Sequence, residues 1–187
     1  MKVTLILGSP RPGSNSAKLA EAAVAALPDK NVEVKKFNLN QLRFRGCQSC
    51  FSCKGKTETC VLKDDLALVM STAADSDLVI LTSPVYINEV AGQVKCFIDR
   101  TYSWFKPDFM SNAVPGRLKP GKKMLFIWTQ GNPDKDCYKH NLTAHVNYFG
   151  SQGFKVTPFV ACGLTPEDVG KSSPGYLKQI AEVAAAL

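Results

Sequence analysis

Short apolar runs and stretches with helical spacing alternate along the 187 residues of this chain. Residues 3–7 form a brief β-branched run closed by Gly8, which predicts a buried strand. Residues 17–27 are alanine-rich with apolar positions at helical intervals, and Ser14, Asn15 or Ser16 can cap them. Residues 32–38 alternate apolar and polar, as a strand nearer an edge does. Residues 64–74 predict a helix opening on two acidic side chains, where the dipole favours negative charge. The run LVILT at 78–82 predicts a second buried strand, 90–104 a helix, KMLFIW at 123–128 a third central strand, 137–152 a long helix and 154–161 a fifth strand. Residues 174–187 predict a closing helix with proline near its start, where the missing N–H costs nothing.

Five strands separated by helices imply βαβ units, and right-handed crossovers make these a doubly wound parallel α/β sheet. No linker divides the chain, so one domain over residues 1–187 is expected. Ligands of such sheets bind beyond the carboxyl ends of the strands, near the switch point of the strand order. The segments after Leu7, Thr82 and Trp128 are therefore the informative ones.

Composition adds little to this outline and removes some functions. Apolar residues make up 45% and charged residues 21%, as in ordinary soluble proteins. The formal charge of +7 is spread without runs longer than two, which reads as a solvated basic surface and not a nucleic-acid site. It fits an enzyme whose substrates carry phosphates better than it fits a small acidic electron carrier. The first apolar stretch is too short for a signal peptide, and no stretch approaches the roughly 20 residues of a membrane span, so a cytoplasmic protein is expected.

The first strand-end loop is Gly8-Ser9-Pro10-Arg11-Pro12-Gly13-Ser14-Asn15-Ser16. It feeds a helix N-terminus, carries three hydroxyls and one guanidinium, and suits a terminal phosphate. The triphosphate-loop lysine is missing, because Ser14-Asn15 stand where Lys-Ser/Thr is required, and G-x-G-x-x-G is absent. A monophosphate held by hydroxyls and backbone fits better. The second loop, Ser83-Pro84-Val85-Tyr86-Ile87-Asn88-Glu89, is apolar and aromatic, suited to lining a flat apolar ring. The third, Thr129-Gln130-Gly131-Asn132-Pro133, completes a crevice.

Two motifs, GSPRPGSNSAKL and SPVYINEVAGQVKCFIDR, resemble the NAD(P)H-dependent FMN reductases and iron–sulfur flavoproteins of the flavodoxin-like fold. The resemblance spans about residues 1–130 and implies a five-stranded sheet of order 2-1-3-4-5 in a three-layer α/β/α arrangement. It implies that Ser9, Arg11, Ser14, Asn15 and Ser16 hold the FMN phosphate. By the same resemblance Pro84, Val85, Tyr86, Ile87, Asn88, Thr129, Gln130 and Gly131 lie beside the flavin ring. Relatives commonly carry glycine at the position of Asn88 and an aromatic residue at that of Ile87.

Between Asn38 and Asp64 about two dozen residues lack a clear element, a length that usually marks a functional loop. They contain Cys47-x2-Cys50-x2-Cys53-x6-Cys60. Four thiolates at this spacing can hold a [4Fe–4S] cluster, as ferredoxin-type runs do, although those end in C-x3-C-P. Free cysteines, packed as small apolar residues on one helical face, and zinc are the other readings. The family's iron–sulfur members carry a compact four-cysteine motif here. Cys96, Cys137 and Cys162 are isolated and expected in the core. Asp99 and Arg100 read as a charged helix face or subunit contact, and His140 and His145 as neither metal ligands nor catalytic bases.

The expected activity is electron transfer from NAD(P)H through bound FMN to a small acceptor: a quinone, a flavin or an iron centre. No protein acid or base is required, so no catalytic residue is assigned. The rival is an iron–sulfur electron carrier fed by ferredoxin. A flavin-free hydrolase is disfavoured because no nucleophile–base pair is evident. Family resemblance further implies a homodimer or homotetramer, with Trp104, Phe105, Phe109 and Met110 forming a subunit contact, a lid or a satellite core.

Overall fold

The computed structural model describes residues 1–173 and 175–187. Strands β1 (Lys2–Leu7), β2 (Glu33–Asn38), β3 (Leu78–Tyr86), β5 (Lys122–Thr129) and β6 (Phe154–Ala161) form a parallel sheet in the order β2-β1-β3-β5-β6. The short strand β4 (Glu89–Val90) pairs antiparallel with the end of β3. With β4 set aside, this is the expected flavodoxin-like order.

Two apolar layers cover the sheet, as its near-continuous hydrophobic central strands demand. On one face α2 (Asp65–Asp75), α3 (Gly92–Arg100) and α4 (Lys139–Ser151) pack against Ile6, Val79, Leu81, Met124, Phe126 and Trp128. On the other, α1 (Asn15–Ala25), α5 (Val169–Ser172) and α6 (Gly175–Ala185) meet Val3, Leu5, Leu7, Leu78, Ile80, Leu125 and Ile127. Successive strand residues thus enter opposite cores, following the pleat. Pro174, expected near the start of the closing helix, lies outside the described residues.

Two elements depart from their sequence outline, each for a local reason. Strand β3 does not stop at Thr82 but continues to Tyr86 and pairs Pro84 with Thr129. Its register with β1 ends at Thr82, so one edge is free where the proline stands and no ladder bond is lost there. The helix expected over 90–104 begins only at Gly92, because Val90 is taken into β4. It then tightens into a 3-10 turn at Thr101–Trp104. There the Thr101 hydroxyl donates to the Ile98 carbonyl at 2.7 Å and the Ser103 hydroxyl to that of Arg100 at 3.1 Å, competing with the helical ladder. The short helix α5 has no counterpart in the sequence reading.

Gly8, where β1 ends, is required by close approach. A Cβ there would collide with the Thr82 carbonyl and the Val94 side chain. The bare backbone lets β1 and α3 close together at the switch point, where the order reverses from β1 to β3.

Candidate functional site

The phosphate-type loop is built by α1. Ser14 caps the helix, its hydroxyl accepting from the Ala17 N–H at 3.3 Å and lying 3.2 Å from the Ser16 hydroxyl. No acidic residue of α1 itself occupies its first turn, where the dipole favours negative charge. Ser9 is buried, and its hydroxyl accepts from the Arg11 N–H at 3.2 Å, folding the loop back over the helix start.

The three strand-end loops converge. Ser9, Arg11, Ser14, Asn15, Ser16, Pro84, Val85, Tyr86, Thr129, Gln130 and Gly131 line one open cleft of about 330 Å³. Ile87 and Asn88 do not join them. They form the two-residue tip of the β3–β4 hairpin, with φ of 47° and 67°, a type I′ turn. Asn88 suits that conformation, whereas Ile87 is β-branched and strained in it, and is 95% exposed. Gln130 lines the cleft with its polar groups already committed. Its amide donates to the carbonyls of Asn132 (3.2 Å) and Asp134 (2.7 Å) and accepts from the Trp128 indole (3.2 Å). Its backbone N–H and carbonyl pair with Ala161 and Leu164.

The sequence reading missed a fourth wall, residues 164–168 after β6. This strap is tied across the cleft to α1: the Asn15 amide donates to the Thr165 carbonyl at 2.9 Å, and Lys18 pairs with Asp168. Asp168 also caps α5 through the Gly170 N–H at 2.7 Å. The only hint in the sequence is a proline followed by two acidic residues, common loop chemistry with no spacing that points to α1.

A second cavity, about 610 Å³, opens beside the cysteine loop and is lined by Cys47, Cys50, Cys53 and Cys60. Its walls include Phe51, Ile98, Tyr102 and Tyr148. The loop is irregular apart from one 3-10 turn at Ser52–Lys54, and Ser49 and Phe51 have positive φ. The helical-face packing considered for these cysteines is therefore not what the fold adopts: Cys47 and Cys50 are exposed and Cys53 and Cys60 half-buried. Among the described residues no three His, Cys, Asp or Glu side chains are gathered at metal-holding distance, so the four thiols share a cavity without forming a closed ligand shell. Hydrogen bonds from the Ser52 backbone and side chain pull the Cys50 thiol below its ordinary pKa, and burial pushes that of Cys53 up.

The loop is held at three points. Lys54 donates to the carbonyls of Tyr102 (2.6 Å) and Phe105 (2.7 Å) and lies 4.1 Å from the Tyr102 ring centre. Arg117 reaches the Cys53 carbonyl at 3.2 Å. Arg100 donates to the Arg45 carbonyl (2.9 Å), to both Asp64 carboxylate oxygens (2.9 and 3.2 Å) and to the Leu62 carbonyl (3.2 Å). Burial opposes charge on Arg100, but Asp64 and the nearby Cys60 sulfur outweigh it and hold its pKa above the ordinary value. Arg100 is 1% exposed, so its reading as part of a charged helix face or subunit contact is corrected; Asp99 alone sits outward, paired with Lys95 at 2.5 Å. The helix period placed Arg100 on the inner face, yet a buried arginine is rare enough that sequence favours the outer one.

Other expectations sort similarly. Cys137, expected in the core, is exposed beside the Asn132 amide at 3.1 Å. Trp104 is buried in the main core against Phe97 and Phe154, Phe105 is buried with the rings of Phe109 and Tyr102 against it, and Met110 stands 89% exposed. His145 lines the cysteine cavity and pairs with Glu89 at the base of the hairpin.

A family model described as NADPH-dependent FMN reductase matches residues 1–132. The chain belongs to that family. An FMN cofactor and oxidoreductase chemistry go with membership of the FMN reductases. Among curated relatives, an iron–sulfur flavoprotein of Archaeoglobus fulgidus is 41% identical over 100 residues, covering 54% of this chain and 45% of the relative. An iron–sulfur flavoprotein of Methanocaldococcus jannaschii is 34% identical over 121 residues, covering 65% and 62%. The chain thus spans about half to three-fifths of these relatives' length. Among solved structures, an FMN-dependent NADH-azoreductase from Bacillus anthracis in complex with FMN aligns with a TM-score of 0.72 at 16% identity, covering 98% and 97% of the two chains. An NAD(P)H:quinone oxidoreductase from Methanothermobacter marburgensis gives 0.73 at 16%, covering 98% and 95%. At such identities the likeness establishes the flavodoxin-like fold of this FMN reductase relative.

Proposed function

We propose that this chain binds FMN in the three-loop cleft and transfers electrons from NAD(P)H to a second acceptor. The observation that carries the reading is that hydroxyls, one guanidinium and the N-terminus of α1 line the same cleft as the Pro84–Tyr86 segment. This donor set suits the phosphate and ring of FMN. Ser9, Ser14, Ser16 and Arg11 would hold the phosphate, with Asn15 beside them fastening the strap. Tyr86, 42% exposed, would border the ring with Pro84 and Val85. Thr129 and Gly131 would meet it from β5, since the polar groups of Gln130 are spent within the protein. Bound FMN supplies hydride acceptance and one- or two-electron transfer, and the chain's part is to hold and tune it. No acid or base in the cleft is needed for that role.

A second reading has one specific observation behind it: four cysteines lining one cavity, in a chain whose matched relatives are named iron–sulfur flavoproteins. Number and type of donor suit a [4Fe–4S] cluster, and Cys47, Cys50, Cys53 and Cys60 would ligate it once the loop closes, since metal binding commonly completes its own site. A cluster supplies one-electron transfer. On this reading the chain is an electron carrier that ferredoxin serves as donor. We read the whole of residues 1–187 as one FMN-binding domain, cytoplasmic, and assembled as a homodimer or homotetramer.

The test is spectral. Protein purified anaerobically and given FMN is expected to show flavin absorption that NADPH or NADH bleaches within seconds. A flavin reduced only by ferredoxin supports the carrier, and failure to bind FMN in excess refutes both readings.

A further inference from the structure

Arg100 has a role beyond closing the loop. Its guanidinium joins Arg45, two residues before Cys47, to Leu62, two residues after Cys60, and so fixes both ends of the cysteine segment with one rigid planar group. Four of its bonds are accounted for by Asp64 and two carbonyls, yet its Nε–H is buried without an acceptor among the described residues. An unmet buried donor on a charged group is costly and rare, and asks what would accept from it. Arg100 lines the cysteine cavity together with Cys60.

Lys54, adjacent to Cys53, is bound to the Tyr102 and Phe105 carbonyls, and the other charged side chains that line the cavity are paired. Lys95 pairs with Asp99, and His145 with Glu89. Walls such as Ile98, Tyr102 and Tyr148 offer little to offset negative charge. Four thiolates gathered here, with or without iron, would concentrate negative charge in apolar surroundings, which is unfavourable without a nearby cation.

We propose that Arg100 is a positioning residue for an anionic metal–thiolate centre at Cys47, Cys50, Cys53 and Cys60, setting the loop ends and donating from Nε to a ligand sulfur. The proposal rests on the iron–sulfur reading of the second cavity. Its two parts separate experimentally. The clamp needs the planar fork, whereas stabilisation of added negative charge needs only the cation.

The experiment uses the full chain reconstituted anaerobically with ferrous iron and sulfide, as wild type, Arg100→Gln, Arg100→Lys and Asp64→Asn. Iron retained against a chelator and the cluster's reduction potential are measured, with FMN affinity as the folding control, because Arg100 does not line the flavin cleft. Loss of a residue supporting metal ligands typically weakens retention about ten- to hundredfold, and that is expected for Arg100→Gln. Its residual cluster should be reduced at lower potential, because the neighbouring cation no longer favours the added electron. Arg100→Lys should lose iron nearly as readily while keeping a potential closer to wild type. Should Arg100→Gln lose FMN as well, Arg100→Lys and Asp64→Asn decide: impaired retention in both, with FMN bound normally, supports the clamp. Wild-type retention and potential in Arg100→Gln, or in both other variants, overturn the proposal. A wild-type chain that takes up no iron refutes the cluster reading itself, a different outcome visible before any variant is made.

Discussion

His145 Nε2 on α4 lies 2.6 Å from Glu89 Oε1 on β4, and this contact joins the wall of the cysteine cavity to the hairpin at the end of β3. Glu89 also accepts from the Val90 N–H at 2.7 Å, and the Phe126 and Trp128 rings flank the imidazole. Burial pushes the Glu89 carboxyl up, but the bond from His145 and that from Val90 outweigh it, leaving its pKa below the ordinary value.

A depressed carboxyl pKa stabilises the fold above the unfolded-state pKa, and the gain is lost as pH falls through the folded value. Glu89→Gln should therefore be less stable than wild type at neutral pH, and the difference should vanish in acid below the ordinary glutamate range. Urea denaturation across pH 3 to 7 measures this. A difference unchanged across that range would mean that the pair contributes by packing and not by charge.

Arg11 is exposed and lines the cleft beside the start of α1, where the FMN phosphate is proposed to sit. Charge-assisted hydrogen bonds contribute about 1.5–3 kcal/mol, so Arg11→Met should weaken FMN binding by roughly ten- to a hundredfold. Riboflavin, which lacks the phosphate, should bind both proteins alike. Titration by quenching of flavin fluorescence distinguishes the two ligands, and equal losses for both would remove Arg11 from the phosphate site.

The strap over residues 164–168 depends on Asp168, which both caps α5 and meets Lys18. Asp168→Ala should cost about 1 kcal/mol through the lost cap. It should also speed amide exchange at Thr165 to Gly170. Asp168→Asn, which can still cap, should recover most of the stability; if it behaves like alanine, the ion pair with Lys18 matters more than the cap.

Gly8→Ala introduces a methyl where the Thr82 carbonyl and Val94 already stand, and Gln93 donates to the Gly8 carbonyl at 2.7 Å. Overpacking of this kind costs about 1–3 kcal/mol. A lower midpoint in thermal denaturation, together with weaker FMN binding, is expected, because the displaced segment leads into Ser9. An unperturbed melt would show that β1 and α3 can part without strain.

Much of the architecture was legible in the sequence because it follows from local periodicity. LVILT and KMLFIW have the short, continuous apolar pattern of strands covered on both faces, and the bounds Phe154–Ala161 match their sequence outline residue for residue. The loops after β1, β3 and β5 stood out in the sequence because their hydroxyl, guanidinium and aromatic groups lie in consecutive residues, and their convergence on one cleft follows from parallel strands whose carboxyl ends share one edge. The hairpin of Ile87 and Asn88 was hidden, since a two-residue turn on an apolar run has no period of its own.

What tertiary structure alone decided are the contacts between residues far apart in the chain. Nothing near Arg100 in sequence says that its guanidinium closes on Arg45, Leu62 and Asp64. Nor does the Thr165–Asp168 segment reveal that Asn15 and Lys18 will fasten it across the cleft. Periodicity reports which face of an element is buried; it carries no information on which distant group is waiting there. Asp64 shows the difference: an acidic residue opening a helix satisfies the dipole in sequence, yet in the fold its carboxylate is drawn to a buried cation, where desolvation makes a single partner count for more than the helix end.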